Sequence, residues 1–97
     1  MENKKLEMKV FLGGTCNNST WRDKLIKILK MPYFNPVVKN WTPADMEREN
    51  REKEIDYFQL YVITPKMTGV YSIAELTESA CINGGRTLIC ILDKDED

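Results

Sequence analysis

The sequence contains no histidine, and this absence excludes several kinds of site before any motif is considered. Ser-His and Cys-His catalytic arrangements need an imidazole, which is also a common zinc ligand. The three cysteines (Cys16, Cys81 and Cys90) are an odd number without the paired spacing of a metal site. We therefore expect no metal, no cofactor and a reduced, cytoplasmic setting. If the protein is an enzyme, carboxylates or the backbone must carry its chemistry.

Long apolar runs and an excess of one charge are also missing. No run approaches the roughly 18 residues that span a bilayer, and the start, MENKKLEMKVFL, lacks the pattern of a signal peptide. With 14 basic and 15 acidic residues among 97, the net charge is −1. Nucleic acid and membrane surfaces are therefore not expected as partners. The length predicts one domain, residues 1–97, with a single core.

Apolar segments alternate with helical patterns in the order β-α-β-α-β-α-β. Strands are predicted at 8–12, within FNPVVKNW, at 58–64 and at 87–92, the second because Val37 and Val38 favour extended backbone. Continuous apolar strands alternating with helices indicate a parallel sheet covered on both faces. We predict a small open α/β sandwich whose last strand is buried. The acidic residues 93–97 should form a frayed tail.

Helix signals lie between these strands. Thr20 is predicted to cap the first helix with Asp23, and Thr42 the second with Asp45. In the first helix an apolar stripe is expected at Trp21, Leu25, Ile28 and Leu29.

The other two helices differ in character. PADMERENREKEI, in the second, is almost wholly charged and predicts a solvated helix. In the third helix Ile73, Leu76, Ala80 and Cys81 should face inward.

Ligands of open parallel sheets bind beyond the carboxyl ends of the strands. Those ends are Gly13-Gly14-Thr15, Asn40-Trp41-Thr42 and the segment 64–71. FLGGTCNNS matches neither G-x-G-x-x-G nor a Walker loop, so a dinucleotide or P-loop assignment fails. The two glycines indicate either a tight turn or close approach of a ligand. Trp41 and Tyr71 are either packing aromatics or surfaces on which a ligand stacks.

Glu75 has two interpretations. SIAE matches the capping box S-x-x-E, in which Ser72 and Glu75 satisfy each other's backbone donors. A carboxylate in the first helical turn is also stabilised as an anion, which suits a nucleophile. Its position in the sequence does not separate the two.

The combination of FLGGT, WR, NPVV..W and YVITP.M.G.YSIAE resembles the nucleoside 2-deoxyribosyltransferase-like family, small α/β proteins of bacteria and their phages. The similarity covers residues 9 to about 91. It implies a flavodoxin-like fold, a nucleoside or nucleotide ligand and a homo-oligomer. In this family a glutamate after the third strand attacks the anomeric carbon of the sugar, and Glu75 holds that place. Phe11, Gly13 and Gly14 match positions that line the pocket.

The resemblance also exposes two departures. The family's first-strand aromatic is a tyrosine that orients the nucleophile, whereas Phe11 has no hydroxyl, and Tyr71 is the candidate to replace it. No acid occurs in GVYSIA, where the family has an aspartate, and the counterpart of a further family acid is open among Glu49, Glu52 and Asp56. The predicted catalytic residues are Glu75 and Tyr71. The predicted substrate-binding residues are Phe11, Gly13, Gly14, Thr15, Trp41, Asp56, Pro65, Met67, Gly69 and Ser72.

Two functions remain open from the sequence. One is an enzyme that cleaves or exchanges the N-glycosidic bond of a 2′-deoxynucleoside or its 5′-monophosphate. The other is a non-catalytic module that binds a nucleotide or an NAD-derived metabolite.

Overall fold

The computed structural model of the protein describes residues 6–16, 19–67, 71–82 and 84–95, and of residues 71 and 72 the backbone alone. Four strands form one parallel sheet, in which the first strand along the chain lies between the second and the third, and the fourth lies beyond the third. The predicted α/β open sandwich is confirmed. The elements in chain order are β1 (Glu7–Gly14), α1 (Trp21–Ile26), β2 (Tyr33–Phe34), α2 (Pro43–Ile55), β3 (Asp56–Ile63), α3 (Tyr71–Ile82) and β4 (Thr87–Ile91), with a 3-10 turn at Gly84–Arg86 before β4.

The two faces of the sheet are covered differently. On one face Val10, Leu12 and Val62 pack against Trp21, the first residue of α1. The opposite face carries Phe11 and Tyr61, whose ring centroids lie 6.3 Å apart, and α2 and α3 lie over it. This division follows from the alternation of side chains along β1 and β3. The second face holds the candidate site.

Helix α1 departs from its predicted boundaries. Thr20 precedes it, but the Thr20 hydroxyl makes no capping hydrogen bond and is buried without a partner among the described residues. The predicted Thr20–Asp23 capping box is therefore wrong. The helix ends at Ile26, and Ile28 is 73 % exposed rather than part of the apolar stripe. Leu25 and Leu29 do pack against the core.

Helix α2 matches its prediction closely. The Thr42 hydroxyl accepts from the backbone N–H of Asp45, and the Asp45 carboxylate accepts from the backbone N–H of Thr42 at 2.8 Å. Pro43 occupies the first helical position, where its missing N–H costs nothing. Although most of the helix is solvated as expected, Glu52 is buried.

Three predictions about apolar segments are wrong. Val37 and Val38 lie outside any strand, because β2 ends at Phe34. On α3 it is Ser79 that is buried, whereas Ala80 and Cys81 are exposed and Ile73 is 42 % exposed. Strand β4, expected to be buried, is largely exposed, although α3 contacts it as well as β1 and β3.

Asp95, in the acidic end of the chain, has hydrogen-bond partners. The Asp95 carboxylate accepts from the hydroxyl of Ser19 at 2.6 Å and from the hydroxyl of Thr64. These bonds lower the pKa of Asp95, the Ser19 bond most. In contrast to the predicted frayed tail, Asp95 therefore joins the loops that follow β1 and β3. Residues 96 and 97 lie outside the described residues.

Candidate functional site

Strand β1 ends in two glycines that lie against β3. Gly14 has a φ of +112°, and a Cβ added there would lie 2.2 Å from the carbonyl oxygen of Val62. A Cβ added at Gly13 would lie 2.5 Å from a ring carbon of Tyr61. Contact with β3 therefore accounts for both glycines, since any side chain would force the strands apart. Both residues also line the cavity described below.

Thr15 is buried and is used to join the ends of β1 and β3. Its hydroxyl accepts from the backbone N–H of Thr64 at 3.0 Å. Its carbonyl accepts from the Trp21 indole at 2.8 Å and from the Arg22 guanidinium at 2.7 Å. Arg22 also donates to the carbonyl of Leu12 at 2.9 Å. The buried guanidinium group of Arg22 therefore fixes the backbone at the end of β1. These contacts give Thr15 a structural position, and it does not line the cavity.

Beyond the carboxyl ends of β1 and β3 lies a cavity of about 450 Å³, here called the strand-end cavity. It contains the predicted residues Phe11, Gly13, Gly14, Trp41 and Glu75. Its other lining residues come from the loop after β1, from α1, from the segment before α2 and from α2: Cys16, Arg22, Pro36, Val37, Val38, Met46, Glu49, Asn50 and Lys53. An aromatic and aliphatic wall with a few charged groups suits a ligand that has both a flat ring and polar substituents.

A second cavity of about 580 Å³, the interhelix cavity, lies between α2 and α3 over the middle of β3. It is more polar and shares Asn50, Lys53 and Glu75 with the strand-end cavity. The remaining lining residues are Glu54, Gln59, Tyr61, Glu78, Ser79 and Ile82. Although the interhelix cavity is larger, the strand-end cavity is the better candidate site. It lies where parallel sheets bind ligands, and it contains both glycines.

Glu75 and Lys53 form the boundary between the two cavities. The Lys53 ammonium lies 2.5 Å from a carboxylate oxygen of Glu75, and 27 % and 17 % of their side chains are exposed. The same ammonium lies 5.6 Å from the centroid of the Phe11 ring, within cation–π range. Helix α2 thus supplies a cation that fixes the Glu75 carboxylate over the end of the sheet.

The geometry does not support a capping role for Glu75. Helix α3 begins at Tyr71, so Ser72 lies inside it rather than at its N-cap. Glu75 is the fifth residue and lies in the second turn, beyond the range of the helix dipole. The position of this carboxylate is set by Lys53 instead.

Trp41 borders the strand-end cavity from the segment before α2. Its indole N–H donates to a carboxylate oxygen of Glu49 at 3.1 Å, and 56 % of the residue is exposed. An exposed indole that is fixed in orientation at a cavity wall can stack on a planar ligand. This geometry favours the ligand-contacting interpretation of Trp41 over packing in the core.

The remaining predicted residues lie elsewhere. Asp56 is fully buried at the amino end of β3, beside Glu52, so the structure does not bring it to either cavity. Pro65 and Met67 follow β3 and line neither cavity. Gly69 lies outside the described residues, as do the side chains of Tyr71 and Ser72.

Lys53 and Asn50 are not among the predicted site residues, because the charged sequence of α2 predicts a solvated helix. A spacing signal was present: the positions 46, 49, 50 and 53 repeat at i, i+3, i+4 and i+7. Met46, Glu49, Asn50 and Lys53 therefore share one face, and all four line the strand-end cavity. Because most of these four side chains are polar, the periodicity of apolar residues does not reveal this face of α2.

A metal site and a membrane-spanning helix are both absent from the described residues. The described residues contain no group of three or more histidine, cysteine, aspartate or glutamate side chains placed to hold a metal ion. None of the helices formed by these residues combines the length and the hydropathy that crossing a membrane requires.

Comparison with known families gives a match over nearly the whole chain. A family model described as nucleoside 2-deoxyribosyltransferase like matches residues 7–94. The chain belongs to this family. No curated protein and no solved structure matches the chain. In this deoxyribosyltransferase-like protein the matched range contains all four strands and both cavities.

Proposed function

We propose that the protein cleaves or exchanges the N-glycosidic bond of a 2′-deoxynucleoside or of its 5′-monophosphate. The observation that carries the proposal is the Glu75 carboxylate, held by Lys53 at the wall of the strand-end cavity in a member of this family. The aromatic and aliphatic wall of the cavity supports a ligand with a planar base.

Glu75 is the proposed nucleophile. One carboxylate oxygen attacks the anomeric carbon, and an ester bond to the sugar forms as the bond between that carbon and the base nitrogen breaks. The electron pair of the broken bond goes to the base, which takes up a proton. Water or a second base then attacks the same carbon from the vacated face, releases Glu75 as a carboxylate and gives up a proton to the group that protonated the leaving base. Two displacements retain the configuration of the sugar.

Glu49 is the proposed source of the proton for the leaving base. Among Glu49, Glu52 and Asp56, only Glu49 lines the strand-end cavity. Glu52 is buried and pairs with Lys9 at 2.9 Å. The indole of Trp41 donates to Glu49, so a base stacked on this ring would lie close to the carboxyl group.

One observation favours the alternative, a module that binds a nucleotide without turning it over. One oxygen of the Glu75 carboxylate is paired with Lys53 at 2.5 Å, and an ion pair of this kind lowers the nucleophilicity of a carboxylate. The same ammonium could bind an anionic group of a ligand. The two functions therefore differ in whether Glu75 forms a bond to the sugar.

The decisive experiment compares wild type with Glu75→Gln. Each deoxynucleoside and monophosphate is incubated with each protein, with and without a second base, and released base is measured by chromatography. We expect release by wild type and a loss of at least about a hundredfold in the variant, because a carboxamide is a poor nucleophile. Mass spectrometry of the intact protein should detect a sugar adduct on wild type alone.

Matched variants separate chemistry from folding. Glu47→Gln makes the same substitution on an exposed position of α2 that lines neither cavity, and it should retain wild-type release. Glu49→Gln should slow release most for substrates whose base leaves poorly. Release that is unchanged in Glu75→Gln would exclude Glu75 as the nucleophile. If wild type releases no base but is stabilised against heat by a nucleotide, the binding module is supported instead.

A further inference from the structure

Strand β4 is the outer strand of the sheet and is apolar on both of its faces. It pairs with β3 alone, with Leu60 opposite Leu88 and Tyr61 opposite Ile89. Leu88 and Cys90 therefore share the face of α1, and Ile89 and Ile91 share the face of α3.

The side chains of β4 are largely exposed. Leu88 is 49 %, Ile89 51 % and Ile91 76 % exposed, and Cys90 is also exposed. Ile82, which ends α3 shortly before this strand, is 70 % exposed. Contiguous apolar exposure of this kind marks a surface that a partner covers.

The two edges of the sheet contrast. At the opposite edge, β2 has only two residues and lies between Pro32 and Pro36, which cannot donate to a neighbouring strand. Strand β4 has five residues without a proline or a charged side chain. Among the described residues, no strand pairs with its outer edge. Natural sheets protect such edges by charge, proline or a cover, and β4 lacks the first two.

The charges that flank β4 indicate what covers it. Arg86 precedes the strand and Asp93 follows it. If β4 pairs antiparallel with the same strand of a second copy, the basic end of each strand lies beside the acidic end of the other. Pairing in the parallel sense would instead place like charges together. The strand is thus electrostatically complementary to itself in one direction.

We propose that two copies of this chain associate through β4, joining their sheets into one of eight strands. A two-fold axis perpendicular to the sheet at Ile89 keeps each face continuous with its counterpart. In this register Ile89 lies opposite Ile89 of the second copy, and Leu88 lies opposite the second copy's Cys90. The apolar side chains of both faces then become neighbours across the interface.

The extent of the patch sets the expected strength of the dimer. Specific interfaces bury roughly 800 Å² on each partner. A five-residue strand flanked by Ile82 and Leu92 offers a smaller area than this. We therefore expect a dimer that dissociates on dilution. Within the described part of the chain, six hydrophobic residues are buried in each copy, so association should also raise the melting temperature of this small core.

Sedimentation across a range from low micromolar to near-millimolar concentration tests the proposal. Wild type should shift from monomer to dimer, and Ile89→Lys should remain monomeric, because two ammonium groups would face each other at the axis. Ile28→Lys is the matched control, since Ile28 is 73 % exposed and distant from β4 in the sheet order. It should dimerise as wild type does. A monomer at every concentration of wild type, or a dimer that persists in Ile89→Lys, overturns the proposal.

A cysteine pair tests the register and serves if Ile89→Lys fails to fold. Leu88→Cys, in a chain with Cys16→Ser and Cys81→Ser, places a thiol opposite Cys90 of the second copy. Directly opposed antiparallel residues have Cα atoms about 4.5 to 5.5 Å apart, within disulfide reach. Mild oxidation should give a covalent dimer joined by two disulfides. The same chain with Cys90→Ser should give none, and equal cross-linking in both overturns the proposed pairing.

Discussion

Asp56 is a buried carboxyl group whose titration should make the stability of the protein depend on pH. It is fully buried, and neither of its carboxyl oxygens has a hydrogen-bond partner among the described residues. Burial, and next the neighbouring carboxylate of Glu52, raise the pKa of Asp56 from 3.8 to about 7. Lys9 opposes this shift only in part, because its ammonium also pairs with Glu52 at 2.9 Å and with Glu7 at 3.2 Å.

The direction of the effect follows from proton binding. Between about pH 4 and pH 7 the folded protein keeps the proton on Asp56, while the unfolded chain has released it. Stability then falls as pH rises, and the fall ends once both states are ionised above the folded pKa. Each pKa unit corresponds to about 1.4 kcal/mol, so a shift of roughly three units sets an upper limit of about 4 kcal/mol. Because the Glu52 carboxylate and the Lys9 ammonium act on Asp56 in opposite directions, we expect on the order of 2 kcal/mol.

The assay is urea unfolding of wild type and Asp56→Asn at one protein concentration, at a series of pH values from about 4.5 to 8. Asparagine keeps the shape and removes the titration. The wild-type free energy of unfolding should fall relative to that of Asp56→Asn as pH rises. The difference between the two proteins cancels the contribution of groups such as Asp95 to the pH dependence. The lowered pKa of Asp95 makes the free energy of unfolding fall as pH decreases. Asp23→Asn, on an exposed position of α1, is the control and should leave the wild-type profile unchanged. A difference between wild type and Asp56→Asn that does not change with pH would refute the reasoning.

Two further predictions concern the backbone. Gly14→Ala should lower the free energy of unfolding by roughly 2–4 kcal/mol, because the new Cβ meets the Val62 backbone at a positive φ, and urea unfolding measures the loss. A loss below about 0.5 kcal/mol would contradict the close approach of β1 and β3. Thr42→Ala should cost about 1 kcal/mol by removing the cap of α2, with Thr42→Ser near wild type. Equal melting temperatures of Thr42→Ala and Thr42→Ser would show that the hydroxyl contributes nothing.

Local chemistry that is complete within a few residues was predictable. Thr42, Pro43 and Asp45 form the predicted cap because their interactions are made with each other and with the backbone beside them. The same capping pattern at Thr20 does not form a cap. There the six-residue helix α1 is oriented by hydrogen bonds from Trp21 and Arg22 to the backbone at the end of β1. Contacts distant in the sequence decided that case.

Part of the candidate site could also be predicted. The order of strands and helices places Gly13, Gly14, Trp41 and Glu75 at the carboxyl edge of a parallel sheet, and these residues do line one cavity. Lys53 was not predictable in this way. It is one lysine on a charged helix, and only the packing of α2 beside α3 brings its ammonium to Glu75.

The sequence by itself determined the alternation of strands and helices, the parallel sheet and the membership of the family. These depend on the period of apolar residues and on local motifs. The tertiary structure decided which residues are buried at the sheet edge, where Asp56 lies and what holds Glu75. Burial and ion pairing depend on the relative positions of whole elements. A residue such as Ile89 is equally apolar in a covered strand and in an exposed one, and only the tertiary structure shows that it is 51 % exposed in the outer strand of the sheet.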